Sequence, residues 1–473
     1  MPPLRSSLGT VPLVALGTAG VIGSSWIYTG SEFFSAYDAG GEILGLALAT
    51  VFVSCIALAY GELASAFPRA GGEVVFGYVA FNRGVAFAAG WLLTGAYVSS
   101  LAFYVTSLGA LLGDVVPGMA TVALYTVNGT TVHLPVLALG VTVAVFVFAV
   151  NWRGVSPGAW AQFALFAVML TIGLVLAAVG FGHGTAGNAW PLFSGGLAES
   201  AGRTARFVLP AMTFLTGFSL VTVLAEDSRV PPRRLGRVIL VTVGLAGAFY
   251  CLVLLATAWV IPWQRTASLD RGTIDAFLAA GFPALGWAAY TVAVLGLVTS
   301  FLGLFVATSR IVLAMGRAGL LPSGLARLHP RYGTPTRALV FTLAVVLGLG
   351  WLGEGALTWF LDTGGVYVGL AWVLGVASMY RVRRTYPHLD PPFRARPSAA
   401  PALGAVLATC VIAFTLWPGT GMSLVWPWEH AILLAWAALG VALYARTRRA
   451  DDDAALRTLL GSRYDTLTTT RRE

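Results

Sequence analysis

About twelve long apolar stretches run along this chain, each near the roughly 20 residues a helix needs to cross a bilayer. The pattern puts them at residues 11–35, 42–66, 84–112, 134–151, 156–180, 206–227, 237–262, 283–315, 336–353, 357–380, 400–418 and 428–446. They are continuous rather than alternating, which predicts helices and not the strands of a membrane barrel. The expected fold class is an all-α membrane protein. Two stretches carry small residues in their middles: Gly20-Val21-Ile22-Gly23-Ser24-Ser25 in the first and Thr216-Gly217-Phe218-Ser219 in the sixth. Unwound backbone at membrane depth survives only where protein or a water-filled cavity satisfies it. Interrupted spans at corresponding places in two halves of a chain mark the binding site of a solute carrier. On this reading residues 11–180 and 206–380 are two five-helix repeats of inverted topology, each opened by a broken helix. Residues 400–446 add two helices, residues 1–10 precede the bundle, and residues 447–473 form a tail.

Composition sharpens the class. The chain is 57% hydrophobic and 10% charged, where soluble domains carry about 25% charged residues. The net charge of +9 invites a nucleic-acid partner, and the positions of the arginines exclude one. With the N-terminus in the cytoplasm, Arg69, Arg83, Arg153, Arg229, Arg233, Arg234, Arg237, Arg317 and Arg383 all fall inside, as does the tail. Arg203, Arg206, Arg265 and Arg271 are left outside. This positive-inside asymmetry predicts a multi-pass protein of the cell (plasma) membrane with both termini cytoplasmic. The first span has no small-residue cleavage site after it and reads as uncleaved. Cys55, Cys251 and Cys410 sit in separate spans and are expected as buried free thiols. With histidines scattered singly, no disulfide, metal or cofactor is expected.

Three cytoplasmic connectors stand out: Glu62 to Gly72, Glu226 to Arg234, and Ser309 to Pro322. Pro68, Gly71 and Gly72 stop a helix and turn the chain. Together with GVIGSS in the first span, the runs ELASAFPRAGG, GFSLVTVLAEDSRVPP and SRIVLAMGRAGLLP resemble the amino acid–polyamine–organocation transporter superfamily. The matching pieces cover roughly residues 15–335 in order. The resemblance implies a five-plus-five inverted repeat, alternating access and usually amino acid substrates. Elsewhere, residues 270–280 read as a short surface helix, and Asp451-Asp452-Asp453 open a short interfacial helix or a solvated tail.

The chemistry of the breaks follows from helix ends. One half-helix offers bare amide N–H groups and the other bare carbonyls, matching the carboxylate and ammonium of an α-amino acid. The carboxylate is assigned to the amides around Gly23, Ser24 and Ser25, and the ammonium to carbonyls near Val21 and to Thr213 and Thr216. Gly217 marks the second break; Trp26 and Phe218 flank the two breaks and are candidates for the side-chain pocket. Where the superfamily commonly has a large aromatic four residues before that Gly, this chain has Thr213, so either Phe214 gates the site or the pocket is wider. Ser25 stands where Gly is frequent, and Ser219 where relatives handling cationic substrates have Glu. The acidic residues Glu32, Asp38, Glu42, Glu62, Glu226 and Asp227 lie near span ends, so a neutral amino acid is expected. Glu62, Glu226 and Asp227 are expected to pair with arginines as gate elements.

Coupling is left between Na+, H+ and sodium-independent exchange. Val21, Thr299 and Ser300 form a candidate sodium site, against the alternative that the hydroxyls bond back to their own helix. Met169 stands where some proton-coupled relatives carry Lys. No HExxH motif occurs, so no enzyme is expected, and no GxxxxGK[ST] loop, so ATP is not a partner. The expected partners are the small-molecule substrate and the lipid bilayer. Alternatives to a neutral amino acid carrier are a polyamine or cationic amino acid transporter, and a substrate sensor built on a transporter fold.

Overall fold

Bilayer depth leaves backbone groups no partner but one another, so each long apolar stretch winds into a helix. The computed structural model describes residues 9–22, 25–113, 115–154, 156–420, 423–447, 451–461, 463–465 and 467. The chain opens with α1 (Thr10–Val21), α2 (Ser25–Ala66), the short α3 (Glu73–Ala80), α4 (Arg83–Gly113), α5 (Leu134–Arg153) and α6 (Ser156–His183). One-turn α7 (Ala186–Ala189) leads to α8 (Leu197–Phe214), a 3-10 turn at Thr216–Phe218, and α9 (Ser219–Val223). Next come α10 (Pro232–Val260), α11 (Trp263–Thr266), α12 (Gly272–Ala279) and α13 (Pro283–Arg317). The chain closes with α14 (Thr336–Gly350), α15 (Leu357–Thr385), α16 (Ala400–Leu416), α17 (Trp428–Ala445) and α18 (Asp452–Leu460). Among the described residues nine stretches are long and apolar enough to cross a membrane, and the shorter apolar α14 and α16 accompany them.

Burial separates centre from rim. In the Leu197–Val223 stretch, 94% of the most apolar window is buried, against 17% in α17. The interrupted α8–α9 stretch is therefore the core of the bundle, wrapped by α1, α2, α10 and α15. The rim helices turn large apolar side chains outward, among them Val145, Phe146, Phe414, Leu434 and Val441. Such a surface is stable against lipid and costly in water.

The fold departs from the sequence expectations in four places. The first two stretches are not joined by a loop: α2 continues from one into the other and bends at Asp38, whose φ of 58° and ψ of 163° are non-helical. A hairpin, β1 (Ala123–Val127) and β2 (Thr130–His133), occupies the connection before α5, where no strand was expected. Asn128 and Gly129 take the positive φ values, 47° and 82°, that a tight hairpin turn requires. Helix α12 is not a surface helix, since Ile274, Ala276 and Phe277 are fully buried against α2 and α13. The tail helix α18 is capped by Asp451, whose carboxylate accepts the Asp453 N–H, and packs on α3 and α13 with Leu459 and Leu460 buried. The three cysteines are free; Cys55 and Cys251 are half-buried, and Cys410 is exposed on the rim rather than buried.

Candidate substrate site at two interrupted helices

The first interruption begins where α1 ends. Ile22 leaves helical geometry (φ −74°, ψ 76°), its N–H bonding Thr18 O at 2.6 Å, and helix resumes at Ser25. Gly23 and Ser24, and the side chains of Ser25 and Trp26, lie outside the described residues. The second interruption is tighter. After Phe214, Leu215 turns out of the α-helix (φ −88°, ψ 1°), one 3-10 turn follows, and α9 resumes at Ser219.

The two interruptions touch through bare backbone. A Cβ placed on Gly217 would sit 2.2 Å from the carbonyl carbon and oxygen of Gly20 and 2.4 Å from the Val21 nitrogen. Only a residue without a side chain allows this crossing. On one side of it lies a cavity of about 20 Å³, room for one water, which needs roughly 10–15 Å³, and too little for an amino acid. Of the residues singled out in the sequence, Val21, Thr213, Phe214, Thr216 and Gly217 line it. The side chains of Ser100 and Tyr104 from α4, Tyr250 from α10 and Leu304 from α13 complete it, and no lining residue carries a charge. The sequence carried no signal for these four, because their helices meet the breaks only in three dimensions.

The polar groups at the cavity are partly engaged. The Tyr250 hydroxyl donates to the Val21 carbonyl, which keeps its second lone pair. Thr213 donates to Leu361 O and Thr216 to Met212 O, both at 3.3 Å. The Phe214 ring stands 5.9 Å from Phe33 and 6.4 Å from Tyr250 between ring centroids, closing one side. Phe218 and Ser219 do not line the cavity. Phe218 packs on Tyr60 and Trp372, at 5.3 and 5.2 Å, and the Ser219 hydroxyl oxygen accepts the Trp372 Nε1–H at 3.3 Å. Thr299 and Ser300 are buried in α13; the Thr299 hydroxyl donates to Gly296 O at 3.0 Å and lies 3.8 Å from the Met169 sulfur.

Ion pairs close the bundle at both ends. At one end, Asp38 pairs with Arg203, and its carboxylate accepts the Ser194 N–H at 2.9 Å. At the other, Glu62 takes Arg383 in a two-pronged contact of 2.7 and 2.6 Å and accepts the Ala395 N–H at 2.7 Å. Glu226 accepts the Ala70 N–H at 3.1 Å and faces Arg317 at 3.4 Å. This contact joins all three connectors marked in the sequence. Gly71 and Gly72 hold the turn there at φ 98° and 40°, where a Cβ would run into Ala314 and the Thr222 hydroxyl.

The described residues thus form a multi-pass helical membrane protein in which two interrupted helices cross beside a small cavity. The chain belongs to the amino acid permease family, whose match runs over residues 8–439. It is 31% identical to an uncharacterized transporter of Mycobacterium tuberculosis, over 73% of this chain and 74% of that protein. It is 26% identical to the branched-chain amino acid permease BcaP of Bacillus subtilis, over 73% of this chain and 75% of the relative. It is 25% identical to the glutamate/serine transporter AimA of the same species, over 90% of this chain and 80% of the relative.

Proposed function

We propose that this permease is a secondary active transporter of neutral amino acids, working by alternating access with the substrate backbone held at the interruptions of α1 and α8–α9. The observation that carries the reading is the Gly217 crossing over Gly20 and Val21, with a cavity beside it that no ionised side chain lines. A zwitterion is held there by peptide dipoles and hydroxyls, the ammonium against the carbonyl end of α1 and the carboxylate against the amides at 23–25. An uncharged lining favours an uncharged substrate side chain, since a cationic one at membrane depth needs a counter-ion. Ion pairs at both ends and a cavity smaller than an amino acid correspond to an occluded conformation, from which either end opens in turn.

On this reading the Asp38 end faces outside and the Glu62 end the cytoplasm, in line with the arginine asymmetry. Twelve spans result if α1 with the first half of α2, the second half of α2, and α8 with α9 each count as one, repeating as 11–180 and 206–380. The printed functions of BcaP and AimA support amino acids as the substrate class. Thr299 bonds back to its own helix, which favours a proton or plain exchange over sodium. The test is uptake and counterflow of radiolabelled leucine, serine, glutamate and arginine in proteoliposomes, with and without sodium or proton gradients. Competition among neutral amino acids is expected. Failure of every amino acid to accumulate, exchange or raise the melting temperature refutes the proposal, and transport of arginine alone refutes the neutral preference.

A further inference from the structure

One buried carboxyl group lies beneath the cavity and takes no part in any ion pair among the described residues. Glu73 opens α3 directly after the Gly71-Gly72 turn, is 1% exposed, and neither carboxyl oxygen has a hydrogen-bond partner among the described residues. An isolated carboxylate is among the costliest groups to bury, and such a group holds a proton instead. Burial accordingly pushes its carboxyl up to about 8, outside the ordinary carboxylate range.

Its surroundings define a route. Tyr60 of α2 and Tyr97 of α4 are the titratable groups that face it. Both are fully buried, and the Tyr97 hydroxyl has no hydrogen-bond partner among the described residues. The Tyr60 hydroxyl reaches Ala371 O of α15 at a long 3.3 Å, and Ser219 of α9 turns its hydroxyl toward the same space. Charged groups on the packing elements are engaged elsewhere: Glu62 of α2 with Arg383, and Asp452 of α18 with the Tyr78 hydroxyl at 2.7 Å. Arg310 of α13 makes no bond to Glu73. Above this cluster, Phe218 packs on Tyr60 directly after Gly217 at the cavity. Below it, Ala70, three residues before Glu73, carries the N–H that Glu226 accepts. Glu73 therefore sits between the cavity and the Glu226–Arg317 contact, and any opening at that contact wets it.

We propose that Glu73 is the proton-binding site that couples transport: it takes a proton from water that reaches it by way of the cavity while the Asp38 end is open, keeps it through closure, and releases it to water when the Glu226 end opens. On release the O–H bond breaks with its electron pair staying on the carboxylate oxygen, and the proton passes to water on that side; the empty carrier returns without it and reloads from the opposite side. One proton thus crosses with each full cycle. The inference rests on the transport reading above.

The test uses the full chain in proteoliposomes with a trapped pH-sensitive dye, radiolabelled leucine and serine, and an inward proton gradient. In the wild type, uptake acidifies the lumen. Glu73→Gln is expected to keep counterflow exchange within about twofold, to lose at least about tenfold of gradient-driven accumulation, and to lose the acidification. If the variant accumulates and acidifies like wild type, the proposal is overturned. If wild type exchanges substrate without moving protons, this proposal alone falls, whereas absence of any exchange in wild type removes the transport reading and this one with it. Should Glu73→Gln not fold, Tyr60→Phe decides: losing the hydroxyl beside the carboxyl group, which favours its ionised form, it moves the pH of half-maximal uptake upward. An unmoved midpoint overturns the proposal.

Discussion

Replacing Gly217 with Ala tests the site at its tightest point. The added methyl carbon would stand 2.2 Å from the Gly20 carbonyl, and ordinary contact begins at 3.4 Å. The obstructing atoms are backbone, so no side-chain rotation relieves the clash, and α1 must move away from the 3-10 turn by about 1.2 Å, the difference between those two distances. Overpacking of this kind costs about 1–3 kcal/mol of stability. A shift of that size also pulls hydrogen bonds of ~2.9 Å out of range, each worth about 0.5–1.5 kcal/mol. Losing two of them between substrate and backbone weakens binding by about 5- to 150-fold. The control is Gly202→Ala in α8, where nothing lies within 4 Å of the new methyl group and helix propensity improves by about 1 kcal/mol. Affinity is read from ligand-induced thermal shift in detergent, and folding from a single size-exclusion peak. If Gly217→Ala folds and binds as tightly as wild type, the crossing is not the binding site.

Three further outcomes follow from the same geometry. Tyr250→Phe removes the donor to the Val21 carbonyl, and an unsatisfied buried carbonyl costs about 1–3 kcal/mol. A lowered melting temperature and weaker substrate binding are expected, and an unchanged temperature argues that the bond contributes nothing. Arg317→Ala leaves Glu226, whose side chain is 9% exposed, without that partner; a loss on the order of 3–5 kcal/mol is expected. Glu226→Gln, which keeps an acceptor for the Ala70 N–H, costs less in the same thermal measurement, and the reverse order refutes the assignment. Because the folded state holds the Glu73 proton more tightly than the unfolded one, stability contributed by the neutral form falls as pH rises from about 4.5 to 8. Between those limits the slope approaches about 1.4 kcal/mol per pH unit. Melting curves of wild type and Glu73→Gln therefore run closest at acid pH and separate toward alkaline pH, with wild type falling, and parallel curves disprove the assignment.

The interruptions were legible because they break a rule of the bilayer, and a broken rule leaves a trace in composition: glycine, serine and threonine inside otherwise apolar runs. The cavity walls were not. Tyr104, Tyr250 and Leu304 reach the breaks from helices far along the chain, and nothing in their local pattern separates a cavity-lining residue from one facing a neighbour. Phe218 and Ser219 lie next to Gly217 in sequence, yet the 3-10 turn rotates them onto Tyr60 and Trp372, away from the cavity. The bend at Asp38 hid behind the reading that acidic residues mark helix ends; its carboxylate instead anchors Ser194 and Arg203 while the helix runs on. The hairpin had its signal in Asn128-Gly129 between alternating β-formers, overlooked beside the stronger apolar periodicity. Glu73 escaped attention because it follows a connector, and only packing shows that the connector folds back into the protein.

The two contacts that shut the end opposite Asp38 differ in kind, and the difference bears on how the protein moves. Glu62 and Arg383 meet as a two-pronged pair at 2.6–2.7 Å, reinforced by the Ala395 N–H, and tie α2 to α15. Such fixed fork geometry resists separation and suits a hinge. Glu226 and Arg317 face each other at 3.4–3.5 Å, and the carboxylate has its shorter bond to the backbone of the α2–α3 turn. A contact that loose releases at smaller cost, and what it releases is the turn that carries Glu73 into the core. A substrate that shifts the open-to-closed ratio from 1:99 to 99:1 must favour the open form by about 5.5 kcal/mol. A single zwitterion held by peptide groups supplies only part of that. On the proposed coupling, ionisation of the Glu73 carboxyl group on that turn supplies a second contribution in the same direction.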